Sequence, residues 1–154
     1  MRLFGTSGIR GIYPKNLNAN LMFKLGLSLA KYLGNKGKVL VGGDCRLTTP
    51  LLKFSIVAGI MTGGVDVVDA GLIPLPVLAY GVTRYRLSSG VYVTASHNPP
   101  EYNGVKILNS KGLELTTADE NLIEDILLNE RFDVVDWSLV GRYTMVSDLV
   151  ESYI

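Results

Sequence analysis

One cysteine, Cys45, and one histidine, His97, are all that this chain of 154 residues has of those two side chains. A lone cysteine excludes an intrachain disulfide framework and a zinc site built from cysteines. Cys45 itself reads as a small, half-buried filler. No block of Lys and Arg occurs, and 15 basic against 14 acidic residues leave a formal charge of +1. Nucleic acid is therefore excluded as the main partner. No apolar run approaches the roughly 18 residues a membrane helix needs. Met1-Arg2-Leu3-Phe4 gives way at once to glycine and polar residues, without a signal-peptide core. These absences lead to the expectation of a soluble cytoplasmic protein with no membrane partner. Dinucleotide and nucleotide loops of the G-x-G-x-x-G and G-x-x-x-x-G-K-[ST] kinds are missing as well.

What the chain does have is apolar bulk, 47% hydrophobic residues with a mean hydropathy of +0.26. That is enough for one real core and is on the apolar side for a free-standing domain, which suggests surface meant for neighbouring domains. Leu21, Leu25, Leu29 and Tyr32-Leu33 recur at helical spacing between Asn18 and Gly34. Lys38 to Gly43 reads as a buried strand, and Thr48-Thr49-Pro50 as the capped start of a helix to about Thr62. Val65 to Ala70 is a second strand, Pro74 and Pro76 introduce a helix to about Tyr85, and Gly90 to Thr94 is a third strand. Asn103 to Leu108 follows as a strand turned by Asn109-Ser110-Lys111-Gly112. Thr117 with Glu120 suggests a capping box for a helix ending near Asn129. Arg131 to Trp137 is mixed in character, and Val146 to Ile154 looks like the start of a helix. The β-α-β-α-β order indicates an α/β domain.

The stretch that carries chemistry is Thr94-Ala95-Ser96-His97-Asn98-Pro99. Val91 and Val93 favour a strand; Ser96, Asn98 and the two prolines stop it and turn the backbone. Ser96 thus falls at the C-terminal end of a strand, where open α/β sheets bind ligands. A seryl oxygen needs a base or cations to take part in group transfer, and His97 and Lys106 are the nearby candidates. Asp44 and Arg46 lie at another strand end, where an ion pair shaping the loop competes with a direct site role. Asp66 with Asp69, and Asp133 with Asp136, lack the clustered oxygen ligands Mg²⁺ requires and are read as structural. Gly5-Thr6-Ser7-Gly8-Ile9-Arg10-Gly11 reads as an N-terminal loop whose N–H groups and Arg10 could meet an anion.

Thr94 to Pro99, together with Tyr102-Asn103-Gly104-Val105-Lys106-Ile107, resembles the phosphoserine loop of the α-D-phosphohexomutases, the phosphomannomutases and phosphoglucomutases. Phe4-Gly5-Thr6-Ser7-Gly8-Ile9-Arg10-Gly11 is similar to the same family's N-terminal motif, and the separation of the two strings suits its first domain. The resemblance implies a three-layer α/β/α domain with a mixed, mostly parallel sheet, filling residues 1–154 as domain I of four. Domains II–IV would then be missing partners, and the isolated chain a poor mutase. It implies that Ser96 carries a phosphoryl group between hexose 1-phosphate and hexose 6-phosphate by way of a hexose 1,6-bisphosphate. Arg10 and Lys106 would supply cations and assist proton transfer, His97 would contact substrate or orient the loop, and Thr6 and Ser7 would line the phosphate site. Mg²⁺ would take one oxygen from Ser96 or its phosphate, with its other ligands in the second domain.

A serine hydrolase is disfavoured, because the sole histidine adjoins Ser96 in sequence and no G-x-S-x-G elbow surrounds it. A non-catalytic phosphosugar-binding or interaction module is the rival from another class. Within the family, the phosphoglucosamine mutases usually resemble Gly-Thr-Asp-Gly at the first motif and lack the form Pro100-Glu101-Tyr102. Ser7 and that tripeptide incline the motif reading toward glucose or mannose phosphates.

Overall fold

The computed structural model describes residues 2–154. Strands Ile9–Ile12 (β1), Lys38–Gly43 (β2), Asp66–Leu72 (β3), Ser89–Val93 (β4), Tyr102–Leu108 (β5) and Tyr143–Met145 (β6) form one sheet in the order β1-β5-β4-β2-β3-β6. Pairs β4–β2, β2–β3 and β3–β6 are parallel; β1–β5 and β5–β4 are antiparallel. The sheet is thus mixed and mostly parallel, as expected. Helices Ala19–Tyr32 (α1), Thr49–Thr62 (α2) and Thr117–Leu128 (α4) cover one face; Leu75–Arg84 (α3) and Leu149–Tyr153 (α5) cover the other.

Strand periodicity decides which side chains go to which layer. Val39, Val41, Val91, Val93, Val105 and Ile107 point toward Leu25, Ile56 and Ile123 of the first helical layer. Leu40 and Tyr92 point the other way, toward Leu78, Val82 and Leu149. Because α2 and α3 lie on opposite faces, the chain leaves β2 in one direction and returns through β4 on its other side. The C-terminal ends of β2 and β4 therefore enclose the crevice at which such sheets bind ligands, and Ser96 follows β4 at that point.

Several local readings need correction. Residues 5–11 are not simply a loop: Gly5 donates to the Gly8 carbonyl at 2.8 Å, and Ile9–Ile12 then continues as an edge strand against β5. Its short apolar content hid this, since the pairing partner lies about ninety residues away in the chain. The cap of α4 is Thr116, whose hydroxyl oxygen accepts from the Asp119 N–H; the predicted Thr117–Glu120 box is one residue out of register. Thr48 precedes α2, yet its hydroxyl accepts from Asn103 and leaves the helix without a side-chain cap. Cys45 is exposed and fills no core space. Val146 to Ile154 contains only the five-residue α5, and β6 was not anticipated.

Asp69 shows why the aspartates of β3 are structural. Only 2% exposed, its carboxylate accepts from Lys53 Nζ at 3.0 Å, from Tyr143 Oη at 2.7 Å and from the Gly71 N–H at 2.9 Å. Burial pushes its pKa upward, but the hydrogen bonds from Tyr143, Gly71 and Lys53 outweigh it and hold the carboxyl below its ordinary range. The same bond to Asp69, with some burial, pushes the Tyr143 phenol up to about 12. Asp69 thereby ties β6 to β3 and α2.

Replacing Asp69 by Asn strands the mostly buried Lys53 cation and should cost about 2–4 kcal/mol of unfolding free energy. The folded pKa is depressed, so the carboxylate's contribution is complete above its unfolded value of about 4 and is lost as pH falls through the folded one. Denaturant titrations of wild type and Asp69→Asn should give a constant gap from about pH 5 upward that closes in more acidic solution. A gap independent of pH down to unfolding would contradict this account.

Candidate active site

Ser96 stands at the sheet edge with its hydroxyl exposed and its backbone in the left-handed region, at φ 57°. A non-glycine residue there costs about 1–2 kcal/mol, which the surroundings must offset. They do so with hydrogen bonds. The Ser96 N–H donates to Thr94 Oγ1 at 3.0 Å, and the Thr94 hydroxyl donates to Asp44 Oδ2 at 2.7 Å. Asp44 Oδ1 accepts from Thr49 Oγ1 at 2.7 Å and from the Arg46 N–H at 3.1 Å. One carboxylate thus joins the end of β2, the start of α2 and the end of β4.

Arg46 completes the frame from inside the loop. Its Nη2 donates to the carbonyls of Ser96 (2.9 Å) and Asn98 (2.7 Å), and Nη1 to those of Pro99 (2.8 Å) and Tyr102 (3.1 Å). Its Nε lies 3.4 Å from Asp44 Oδ2. The ion pair that shapes the loop is therefore what Asp44 and Arg46 form. Beneath it, fully buried Asn103 donates to Thr48 and Thr49 and accepts from the Gly104 N–H, locking the start of β5 to α2.

The sequence candidates are distributed unevenly around this frame. Arg10 lies on β1 directly opposite Gly104, on the exposed edge, without a hydrogen-bond or ion-pair partner among the described residues. A Cβ on Gly104 would come 2.9 Å from Arg10 Cγ and 2.9 Å from the Thr94 carbonyl oxygen, so the arginine stem passes over Gly104 beside Thr94. Arg10 and Ser96 are brought to the same end of the sheet. Lys106 sits opposite Tyr92, two rows below Thr94, with Nζ 3.4 Å from Glu114 Oε1. His97 is exposed next to Ser96. Because Ser96 is left-handed and not extended, simple alternation does not separate the two side chains; His97 nevertheless has no carboxylate partner among the described residues. Thr6 opens onto a hollow of about 370 Å³ that Glu114 and Glu120 also line, and Ser7 is half-buried in the turn before Gly8.

A divalent cation needs more oxygen ligands than this edge provides. No group of three His, Cys, Asp or Glu side chains converges among the described residues. The nearest carboxylate, Asp44, is already shared by Thr49, Thr94 and Arg46. The residues present do not by themselves make a Mg²⁺ site.

Residues 1–134 match the model of the phosphoglucomutase/phosphomannomutase alpha/beta/alpha domain I. The chain belongs to the phosphoglucomutase/phosphomannomutase family. A family member from Burkholderia thailandensis superposes with a TM-score of 0.86 at 28% identity, over 98% of this chain and 34% of that one. The Paramecium phosphoglucomutase parafusin, at 19% identity and a TM-score of 0.78, shares the fold. In sequence, the chain is 42% identical over 153 residues to a Methanobrevibacter smithii protein named "Probable phosphoglucosamine mutase". It is 41% identical over 151 residues to the phosphoglucosamine/phosphogalactosamine mutase of Sulfurisphaera tokodaii. Coverage is 99% and 98% of this chain. The chain spans about a third of the length of these curated relatives. Beyond residue 134, β6 adds a further strand to the sheet by pairing with β3.

Arg46 is the residue that sequence reasoning undervalued. Its signal was present in the prolines and turn residues of the serine loop, whose carbonyls have no ladder to join.

The close approach at Gly104 yields a test. A methyl group there would meet the Ile9 carbonyl oxygen at 2.3 Å as well as Thr94 and Arg10, and backbone cannot yield as a flexible side chain does. Gly104→Ala should push β1 from β5 and cost about 2–3 kcal/mol in denaturant unfolding. Protection of the β1 amides from hydrogen exchange should fall more than that of β2. Unchanged β1 protection would refute the contact.

Proposed function

We propose that this chain is the phosphoserine-carrying domain I, residues 1–154, of a four-domain phosphohexomutase that interconverts hexose 1-phosphate and hexose 6-phosphate. The observation that carries the reading is an exposed serine, held in a left-handed conformation at the crevice between β2 and β4, with an unpaired arginine at the same sheet end. Family membership and relatives three times as long support it. Domains II–IV would supply the remaining sugar and metal contacts.

In this reading, phosphorylated Ser96 faces a hexose monophosphate. A sugar hydroxyl oxygen forms a bond to phosphorus as the Oγ–P bond breaks; the hydroxyl proton passes to a base, and the departing Oγ takes up a proton. The product is a hexose 1,6-bisphosphate and a free serine. After the sugar turns end for end, Ser96 Oγ attacks the other phosphate; its proton leaves and the departing sugar oxygen takes one up. Charge on the moving phosphoryl group needs fixed cations. Arg10 suits that role, since guanidinium binds phosphate in bidentate fashion and does not give up its proton. The proton-transfer role then falls to Lys106, whose ammonium would exchange Glu114 for the sugar oxygen. His97 would contact the substrate from the loop.

The sugar is the point on which two observations differ. Ser7 and Pro100-Glu101-Tyr102 suggest glucose or mannose phosphate, whereas the names of the Methanobrevibacter and Sulfurisphaera relatives favour a hexosamine phosphate. Side-by-side assays of the full-length protein with glucose, mannose and glucosamine phosphates decide between them.

The carrier role is tested with Ser96→Ala in the full-length protein. Turnover should fall by about a thousandfold or more, and the intact mass should lack the one phosphoryl group expected on the wild type. Thermal unfolding should be nearly unchanged, because an exposed hydroxyl contributes little to stability. Full turnover by this variant would eliminate the proposal.

A further inference from the structure

We infer that Arg46 is a positioning residue for phosphoryl transfer at Ser96, acting through the loop backbone and not through its charge; this rests on the reading of Ser96 as the phosphoryl carrier. The four Nη donors of the guanidinium are engaged with the carbonyls of Ser96, Asn98, Pro99 and Tyr102, and Nε lies 3.4 Å from Asp44 Oδ2 as an ion pair. The Nη fork that would grip a phosphate is spent on the loop, and Asp44 offsets the charge. The side chain is 14% exposed. A cation intended for substrate would be placed the other way round, as Arg10 is.

What the guanidinium does is orient peptide planes. In a trans peptide the carbonyl and the following N–H point in opposite directions. Drawing the Ser96 carbonyl onto Nη2 therefore sends the His97 N–H away from Arg46 and fixes the ψ of the residue whose Oγ would react. The carbonyls of Asn98 and Pro99 each precede a proline, so their peptides carry no N–H through which the loop could be held. Four acceptors spread over seven residues need a planar fork of donors; a lysine has three donors around a point charge and cannot span them.

The test uses the full-length protein as wild type, Arg46→Lys and Arg46→Ala. Hydrogen exchange reads the loop: Arg46→Lys should exchange about tenfold or more faster between Ser96 and Asn103, with β2 and β4 unchanged. Transfer is read by intact mass after exposure to a hexose 1,6-bisphosphate and by steady-state kinetics on the hexose phosphate that the wild type turns over. For Arg46→Lys we expect kcat to fall about a hundredfold, the scale of a small misplacement of reacting groups, with KM within about threefold. Added guanidinium ion should restore part of kcat to Arg46→Ala, and methylammonium none. Wild-type kcat in Arg46→Lys, or a raised KM at unchanged kcat, overturns the proposal, the second because it would place Arg46 on the substrate. A wild type that accepts no phosphoryl group on Ser96 overturns the carrier reading itself, a result distinguishable from either.

Discussion

The C-terminal edge of the sheet depends on one buried-to-exposed chain of hydrogen bonds that begins at the Asp44 carboxylate. It receives the hydroxyls of Thr49 and Thr94 and the Arg46 N–H, and it faces the Arg46 guanidinium. Remove any one partner and the others lose their reason for being where they are: Thr94 would no longer present its oxygen to the Ser96 N–H, and Arg46 would no longer be aimed into the loop. Hydrogen bonds to charged groups contribute roughly 1.5–3 kcal/mol each, comparable with the cost of holding Ser96 in the left-handed region. The conformation at Ser96 is thus sustained by contacts that contain no substrate.

The topology explains why this chain of bonds can form there. Helices α2 and α3 leave opposite faces of the sheet, so β2 and β4 are neighbours whose following segments diverge. The gap between them is the space in which Asp44, Arg46 and the serine loop meet. On the far side, β5 and β1 run antiparallel and bring Arg10 up to the same edge without any loop of its own. Gly104 permits this, because the Arg10 stem occupies the volume its side chain would fill. A parallel core thus sets the depth of the site, and an antiparallel edge brings in the cation.

Much of this was legible in the sequence where the signal was local. The four central strands and four longer helices follow from apolar periodicity and from Pro, Gly and Asn punctuation, and the position of Ser96 after β4 follows from the alternation of elements. Apart from the α4 cap, a one-residue local slip from Thr116 to Thr117, the failures share a cause: a distant partner decided them. Strand β1 forms because β5 offers it a ladder, and β6 because β3 and Asp69 do. Thr48 gives up its capping role because Asn103 claims its hydroxyl. Cys45 is exposed, and beside it Arg46 turns inward toward four carbonyls that no periodicity could reveal.

The same distinction separates the two arginines. Arg46 has its four Nη donors satisfied within the protein and Arg10 has none so engaged among the described residues. A guanidinium holding backbone in place gains from being saturated, because each bond removes a conformational alternative. A guanidinium awaiting an anion gains from being left in water, where its donors are exchanged for phosphate oxygens at little net desolvation cost. Sequence presents both as basic residues near turns. The count of satisfied donors is what separates them: Arg46 is spent on the frame of the serine, and Arg10 is left free at the same sheet end among the described residues.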